Sequence, residues 1–231
     1  MENYEFENEY LIQSSYLLEL QLVNAIEVGD LTLANSLLEE INKKPKAKLS
    51  EDELRSIKNS VICSCCLFCR AIIKAGVKDE IAFKLSDIMI LEIEKINNKE
   101  EVLQFEFKML ERYIKKSREK LVSSYSNVTI KAMQYINKNV KEKLSLDIIC
   151  KNIFISPPYL SSAFKKETGT TITKYINKIK ALESTFYLKH TNLEIGEICY
   201  LYNFCNESYY TNVFKSIYDM TPSNYRDFRE D

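Results

Sequence analysis

Residues 156–165 read Ser156-Pro157-Pro158-Tyr159-Leu160-Ser161-Ser162-Ala163-Phe164-Lys165, and residues 206–215 read Asn206-Glu207-Ser208-Tyr209-Tyr210-Thr211-Asn212-Val213-Phe214-Lys215. At a shift of 50 residues a helix-capping residue falls on a capping residue, Tyr159 on Tyr209, Phe164 on Phe214 and Lys165 on Lys215. The register holds downstream, where Thr171 and Tyr175 meet Thr221 and Tyr225. Upstream, Leu146, Ile149 and Cys150 meet Ile195, Ile198 and Cys199 at a shift of 49, so the turn between gains one residue. Each copy reads as a short helix, a tight turn and a capped second helix, which is helix-turn-helix anatomy written twice.

The faces of these second helices follow from their period. In the first copy Ser156 is expected as the N-cap, with Pro157 at the first helical position, where its missing N–H costs nothing. Leu160, Ala163 and Phe164 then turn inward, leaving Pro158, Ser161 and Ser162 outward and Lys165 and Lys166 trailing. In the second copy Asn206 caps, Tyr210, Val213 and Phe214 turn inward, and Glu207, Ser208, Thr211 and Asn212 face out ahead of Lys215. The second helix of such a pair enters the DNA major groove with its N-terminal residues leading. Short hydroxyls and amides donate and accept at base edges, and lysine reaches phosphate. Pro158, Ser161, Ser162, Glu207, Ser208, Thr211 and Asn212 are therefore the candidate base-facing residues, and Lys165, Lys166 and Lys215 the candidate phosphate contacts. Residues 172–189 read as one long helix with Tyr175, Ile179, Leu182 and Phe186 on a stripe. Such a stiff linker, holding the two second helices about 34 Å apart on one face, would present them to consecutive turns of the major groove.

Residues 128–228 resemble the DNA-binding domain of the AraC/XylS family of bacterial transcription regulators. The matching segments are SLDIIC (145–150), SPPYLSSAFKKETG (156–169), YINKIKALESTFYL (175–188), IGEICYLYNF (195–204), ESYYTNVFK (207–215) and TPSNYR (221–226). The resemblance implies a double helix-turn-helix that binds double-stranded DNA, and activation through contact with RNA polymerase, with repression by occlusion as the other mode. Where that family has arginine this chain has Lys180, where it has alanine Ser184, and where it has glycine Asn203 and Asp219. Asn tolerates a left-handed backbone, so the second turn can survive the change. Neither outward face holds an arginine, which excludes an arginine fork on guanine at those positions. RSIKNSVICSCCLFCRAIIKAGV (55–77) and LSDIMILEIEKI (85–96) resemble helical N-terminal domains of some such regulators, implying a regulatory or dimerisation module.

Read from its own residues, the first half is helical throughout. Leu11, Leu18, Leu22, Ala25 and Ile26 share a face, Gly29-Asp30 reads as a C-cap followed by an N-cap, and Leu31, Ala34, Leu38 and Ile41 line the next helix. Ser50 and Glu53 have the spacing of a capping box, opening a helix to about Gly76. A helix over about 80–96 is expected to turn Ile81, Leu85, Ile88 and Ile96 inward. A long helix over about 100–121 carries Val102, Phe105, Met109 and Tyr113, and is the candidate seam of a homodimer. The polar run Ser123–Asn127 is the expected boundary, dividing the chain into a helical regulatory domain (1–122), a linker (123–127) and the DNA-binding domain (128–231). The fold class is all-α: an N-terminal bundle-like domain followed by the double helix-turn-helix.

Composition narrows the alternatives. Hydrophobic residues make up 45% of the 231, enough for a packed core, while four Gly and four Pro are too few for the turns of an all-β fold. Net charge is −1, split as −4 over residues 1–126 and +3 over 127–231, so the basic half is the one with the repeat. The basic loop 43–48 reads as a solvated connection. No uninterrupted run of about 18 apolar residues is present, so no membrane span is expected, and the acidic start lacks a signal-peptide pattern. Seven cysteines without a secretion signal predict free thiols in a reducing cytoplasm. Cys63, Cys65, Cys66 and Cys69 cannot surround a tetrahedral ion from one helix; they read as core residues, with Cys66 and Cys69, one turn apart, as candidate sensing thiols. One histidine, His190, stands where a cation would suit a helix C-terminus. No P-loop, GxSxG or HExxH motif occurs, so neither an enzyme nor a cofactor is expected. The rival to a DNA-binding regulator is a helical adaptor that keeps the fold with weakened DNA affinity, and nothing in the sequence identifies a small-molecule effector.

Overall fold

The computed structural model describes residues 16–228, and among them every regular element is a helix. Leu11 and Arg229 lie outside the described residues. The chain divides into two compact units, Leu18–Ser124 and the residues from Tyr125 onward, with which Tyr16 and Leu17 group.

The first unit is built from α1 (16–27), α2 (Leu31–Asn42), α3 (Glu53–Lys74), α4 (Asp79–Lys95) and α5 (Lys99–Ser124). Gly29 takes φ +67°, a left-handed value that ends α1, and a side chain there would strike Arg118 and Leu121 of α5. Asp30 starts α2 by accepting from the Leu33 N–H at 3.1 Å. The cap of α3 falls later than the capping-box spacing suggests. Asp52 accepts from the Arg55 N–H at 2.6 Å, and the Ser50 hydroxyl serves instead as acceptor for the Asp52 N–H. α3 and α5 form the centre, where Phe68, Ile72, Met109, Leu110 and Tyr113 are sealed from solvent. The Glu106 carboxylate on α5 is buried yet satisfied, accepting from Asn42 of α2 at 2.8 Å and Ser64 of α3 at 2.6 Å.

One expectation for this unit fails in part on packing. α4 buries Ala82, Ser86, Met89 and Ile93, packs Leu85 and Ile96 half-buried against the core, and leaves Ile81, Ile88 and Leu91 exposed. Small residues at 82 and 86 let α4 approach α3 closely, and that gain outweighs turning the larger stripe inward. The apolar stripe of α5, with Val102, Phe105, Met109 and Tyr113, is buried within this unit, where α5 contacts α2, α3 and α4. By length and composition α3 could cross a membrane, the interruptions by polar residues notwithstanding. In this fold its apolar residues Val61, Phe68 and Ile72 are spent on the core instead.

The second unit holds α6 (Asn127–Lys138) and then the repeat: α7 (Leu146–Ile153) and α8 (Pro157–Thr168), the linker α9 (Ile172–His190), α10 (Ile195–Leu201) and α11 (Glu207–Tyr218), closed by α12 (Pro222–Asp227). Sequence register becomes structural register. Ile149 and Ile198 are sealed, as are Leu160 with Tyr210 and Phe164 with Phe214. Phe164 meets Tyr175 edge-on at 5.4 Å between ring centroids, and Phe214 meets Tyr225 at 5.3 Å in the same geometry. Thr171 and Thr221 cap α9 and α12 alike. Asn206 caps α11 through its side chain, whereas Ser156 makes no side-chain capping bond; prolines at the first two positions of α8 set its start.

The repeat departs from itself in two instructive places. Both helix-turn-helix corners need a left-handed residue. The second uses Asn203 (φ 50°), as its chemistry permits, but the first uses Phe154 (φ 58°), whose ring is 90% exposed. Tyr210, standing where the first copy has Leu160, is fully buried and donates its hydroxyl to Ser184 Oγ at 2.9 Å. Ser184 thus has a reason to replace alanine: a buried phenol needs a partner.

Two stability measurements follow. Phe154→Gly should raise the urea midpoint by an amount equal to about 1 kcal/mol, since left-handed strain is relieved and no buried contact is lost; an unchanged or lower midpoint would refute that strain. Ser184→Ala should cost about 1–3 kcal/mol by orphaning the Tyr210 hydroxyl. Adding Tyr210→Phe should recover most of the loss, and a purely additive double variant would contradict the pairing.

Candidate nucleic-acid interface

α8 and α11 each anchor one face in the core and leave the opposite face to solvent. On α8, Pro158, Ser161, Ser162, Lys165 and Lys166 are all exposed. On α11, Ser208, Asn212 and Lys215 are exposed and Thr211 is half-buried. Glu207 is exposed too, but its carboxylate lies back over Gly196 of α10, close to where a side chain on that glycine would stand. Its place in the first helical turn sets it beside the α10–α11 corner rather than on the stripe through Ser208, Asn212 and Lys215. Lysines end both helices: Lys165 and Lys166 occupy the last turn of α8 and Lys215 that of α11.

What holds the two modules in register within this unit is a set of contacts centred on α9 that the sequence pattern did not reveal. Lys180 is buried on α9, and its ammonium reaches two backbone carbonyls at 3.4 Å, Glu142 before α7 and Asn203 in the corner between α10 and α11. Asn203 adds a direct tie, donating from Nδ2 to the Lys141 carbonyl at 2.7 Å. Lys141 in turn donates to the Tyr187 hydroxyl of α9 at 2.9 Å. The loop ahead of the first module is therefore fastened to the corner of the second. Burial pulls the Lys180 ammonium down to about 8, because an unpaired cation among neutral carbonyls and the Phe204 ring has lost its hydration. Glu183, one turn on, is also buried and accepts from the Tyr202 hydroxyl at 3.4 Å.

Other candidate residues have settled roles. Arg226, the arginine of TPSNYR, donates to the Leu193 carbonyl at 2.5 Å, locking α12 to the start of the second module instead of reaching outward. His190 packs its ring against Phe186; burial first, and Lys189 beside it second, hold its pKa below the ordinary value, which opposes the cationic role expected from its place at the end of α9. Cys66 is exposed and Cys69 buried, with burial pushing the Cys69 thiol up and away from ready ionisation. Cys65 lies 3.2 Å from the Tyr113 hydroxyl and 3.4 Å from that of Ser86. Among the described residues no group of three or more His, Cys, Asp or Glu is arranged to hold a metal ion.

Two corner-linked helix pairs on one strut, each with a polar outer face, define a tandem helix-turn-helix domain. Comparison with known proteins agrees: residues 149–227 match a family described as a helix-turn-helix domain. The multiple antibiotic resistance protein MarA of Salmonella typhimurium is 32% identical over 94 residues, 41% of this chain and 74% of that protein. The regulatory protein PocR of the same organism is 30% identical over 96 residues, 42% of this chain and 32% of PocR, so the chain spans about a third of that relative's length. Among solved structures, the C-terminal domain of AraT, a response regulator from Geobacillus stearothermophilus, shares 29% identity at a TM-score of 0.43, covering 46% of this chain and 88% of that one. This chain belongs to the AraC/XylS family of helix-turn-helix transcription regulators.

The buried ammonium couples stability to pH. An unfolded lysine keeps its proton to about 10.4, but folded Lys180 releases it near 8. Below the folded value both states are protonated and the full burial cost is present; between the two values the unfolded state binds more protons, so stability rises with pH. From about pH 7.5 to about pH 9.5 the wild type should gain about 2 kcal/mol relative to Lys180→Met in denaturant titrations. A difference that stays flat over that window would show that the ammonium is not buried as described.

Proposed function

We propose that this protein is a sequence-specific DNA-binding transcription regulator that works by binding, not by chemistry. In this reading α8 and α11 enter adjacent major grooves of one duplex. Pro158, Ser161, Ser162, Ser208, Thr211 and Asn212 meet base edges, and Lys165, Lys166 and Lys215 neutralise phosphates. The observation that carries it is the paired register: two helices with matching sealed anchors, Phe164 and Phe214, turn polar faces of short side chains to solvent and end in lysine.

Family membership supports the finer parts of the proposal. The protein acts in the cytoplasm as an activator through contact with RNA polymerase, and the helical first half serves regulation or dimerisation. Short hydroxyls and amides without arginine suit readout by single hydrogen bonds and methyl contacts rather than by bidentate forks. Affinity then leans on phosphate contacts and falls steeply with salt.

Footprinting on the DNA upstream of the protein's own reading frame, with variants alongside, tests the assignment. Ser162→Ala and Asn212→Ala should relax base preference at the positions they read. Lys215→Ala should weaken binding to all sequences alike and lower the salt slope by about 1. Three variants indistinguishable from wild type would refute the interface, and no protection even at low salt would favour a helical adaptor.

A further inference from the structure

Beside the outward face of α11 runs an open groove of about 550 Å³, walled on the other side by the first half of α9. Its lining includes Thr170, Lys174, Asn177 and Lys178 from α9 and the turn before it, and Tyr209 and Asn212 from α11. Both lysines are exposed, and no acidic residue lines the groove. Its floor is organised: Asn177 donates from Nδ2 to the Tyr209 hydroxyl at 2.7 Å, which leaves the phenol proton free to point into the groove. No base-readout or trailing-lysine assignment uses Lys174 or Lys178.

Asn212 is the informative residue, because it belongs to two surfaces at once. It lies on the solvent-facing stripe of α11 with Ser208 and Lys215, and also on the wall of the groove with Tyr209 and Ser216. A helix lying in the major groove, about 12 Å wide, is flanked on each side by a sugar-phosphate strand. If Asn212 faces the bases, then the flank bearing Tyr209 and Ser216 faces one such strand, and that strand must run between α11 and α9. The α9 wall lies on the side of the first module, since Thr170 closes the turn that follows α8. The strand concerned is accordingly the one that separates the two major-groove segments.

The geometry points to a second, sequence-independent DNA contact. The groove between α9 and α11 holds the phosphodiester backbone between the two recognition segments, with Lys174 and Lys178 each neutralising one phosphate and the Tyr209 hydroxyl donating to a phosphate oxygen. This rests on the proposed placement of α11 in the major groove and extends it to the linker helix. α9 is then a DNA-binding element in its own right as well as a strut.

The test compares the full-length wild type with Lys174→Gln/Lys178→Gln on a duplex selected by the wild type from a random pool. Both side chains are exposed, so the variant keeps the fold, which its thermal midpoint verifies. Each phosphate contact contributes about 0.9 to the salt slope. The variant should show a slope smaller by about 2, so that raising salt fourfold weakens wild type about tenfold more than the variant, with base preference unchanged. Ethylation of phosphates between the two protected segments should impair wild type more than it impairs the variant. An unchanged slope together with equal sensitivity to ethylation would overturn the α9 contact while leaving the recognition helices standing. A wild type that selects no sequence from the pool would overturn both.

Discussion

One helix is shared by two modules, and the rest of the DNA-binding unit depends on that sharing. α9 receives Phe164 of the first module on Tyr175 and hydrogen-bonds the second module's Tyr210 through Ser184. Between these points Lys180 sits buried, bonded to a carbonyl from each side. A charged group in that position is costly. What it supplies in return is direction: an ammonium with two carbonyl partners fixes where the Glu142 loop and the Asn203 corner stand, which apolar packing alone specifies less sharply. Rigid spacing is what a tandem reader of DNA needs, because half-sites on a duplex come at fixed intervals.

Much of this was legible from the chain alone, because a repeat is a redundant signal. Buried pairs at matching offsets, such as Leu160 with Tyr210 and Phe164 with Phe214, each imply the other, and the capping threonines 171 and 221 mark the same boundary twice. The outward polar sets follow from the inward ones by helical period, and the structure places them in solvent, with Thr211 half-buried and Glu207 drawn back over Gly196. Where no second copy exists, the sequence signal is weaker. α4 has apolar residues nearly all round, so period alone could not choose between the Ile81–Ile88 stripe and the Ala82–Met89 stripe; close approach to α3 decided it. Ser50 and Asp52 both had capping chemistry, and only the backbone path selects Asp52.

Other features were invisible for a different reason: they exist only once distant segments meet. The Lys180 bridge joins residues 38 and 23 positions away, and Asn203 reaches across 62. The groove between α9 and α11 likewise needs the folded unit before Lys174 and Lys178 acquire a common purpose. Phe154 is the opposite case, a local feature that composition hides. A left-handed corner calls for glycine or asparagine, so a phenylalanine there signals no turn until the backbone is seen.

The central claim is that two modules, rigidly joined through α9, read one face of a single duplex. Spacing tests it most directly. Sequences selected from a random DNA pool should contain two preferred blocks whose centres lie about one helical turn apart, and inserting about half a turn of DNA between them should abolish specific binding. A single preferred block, or two blocks that tolerate the half-turn insertion without loss, would contradict the account.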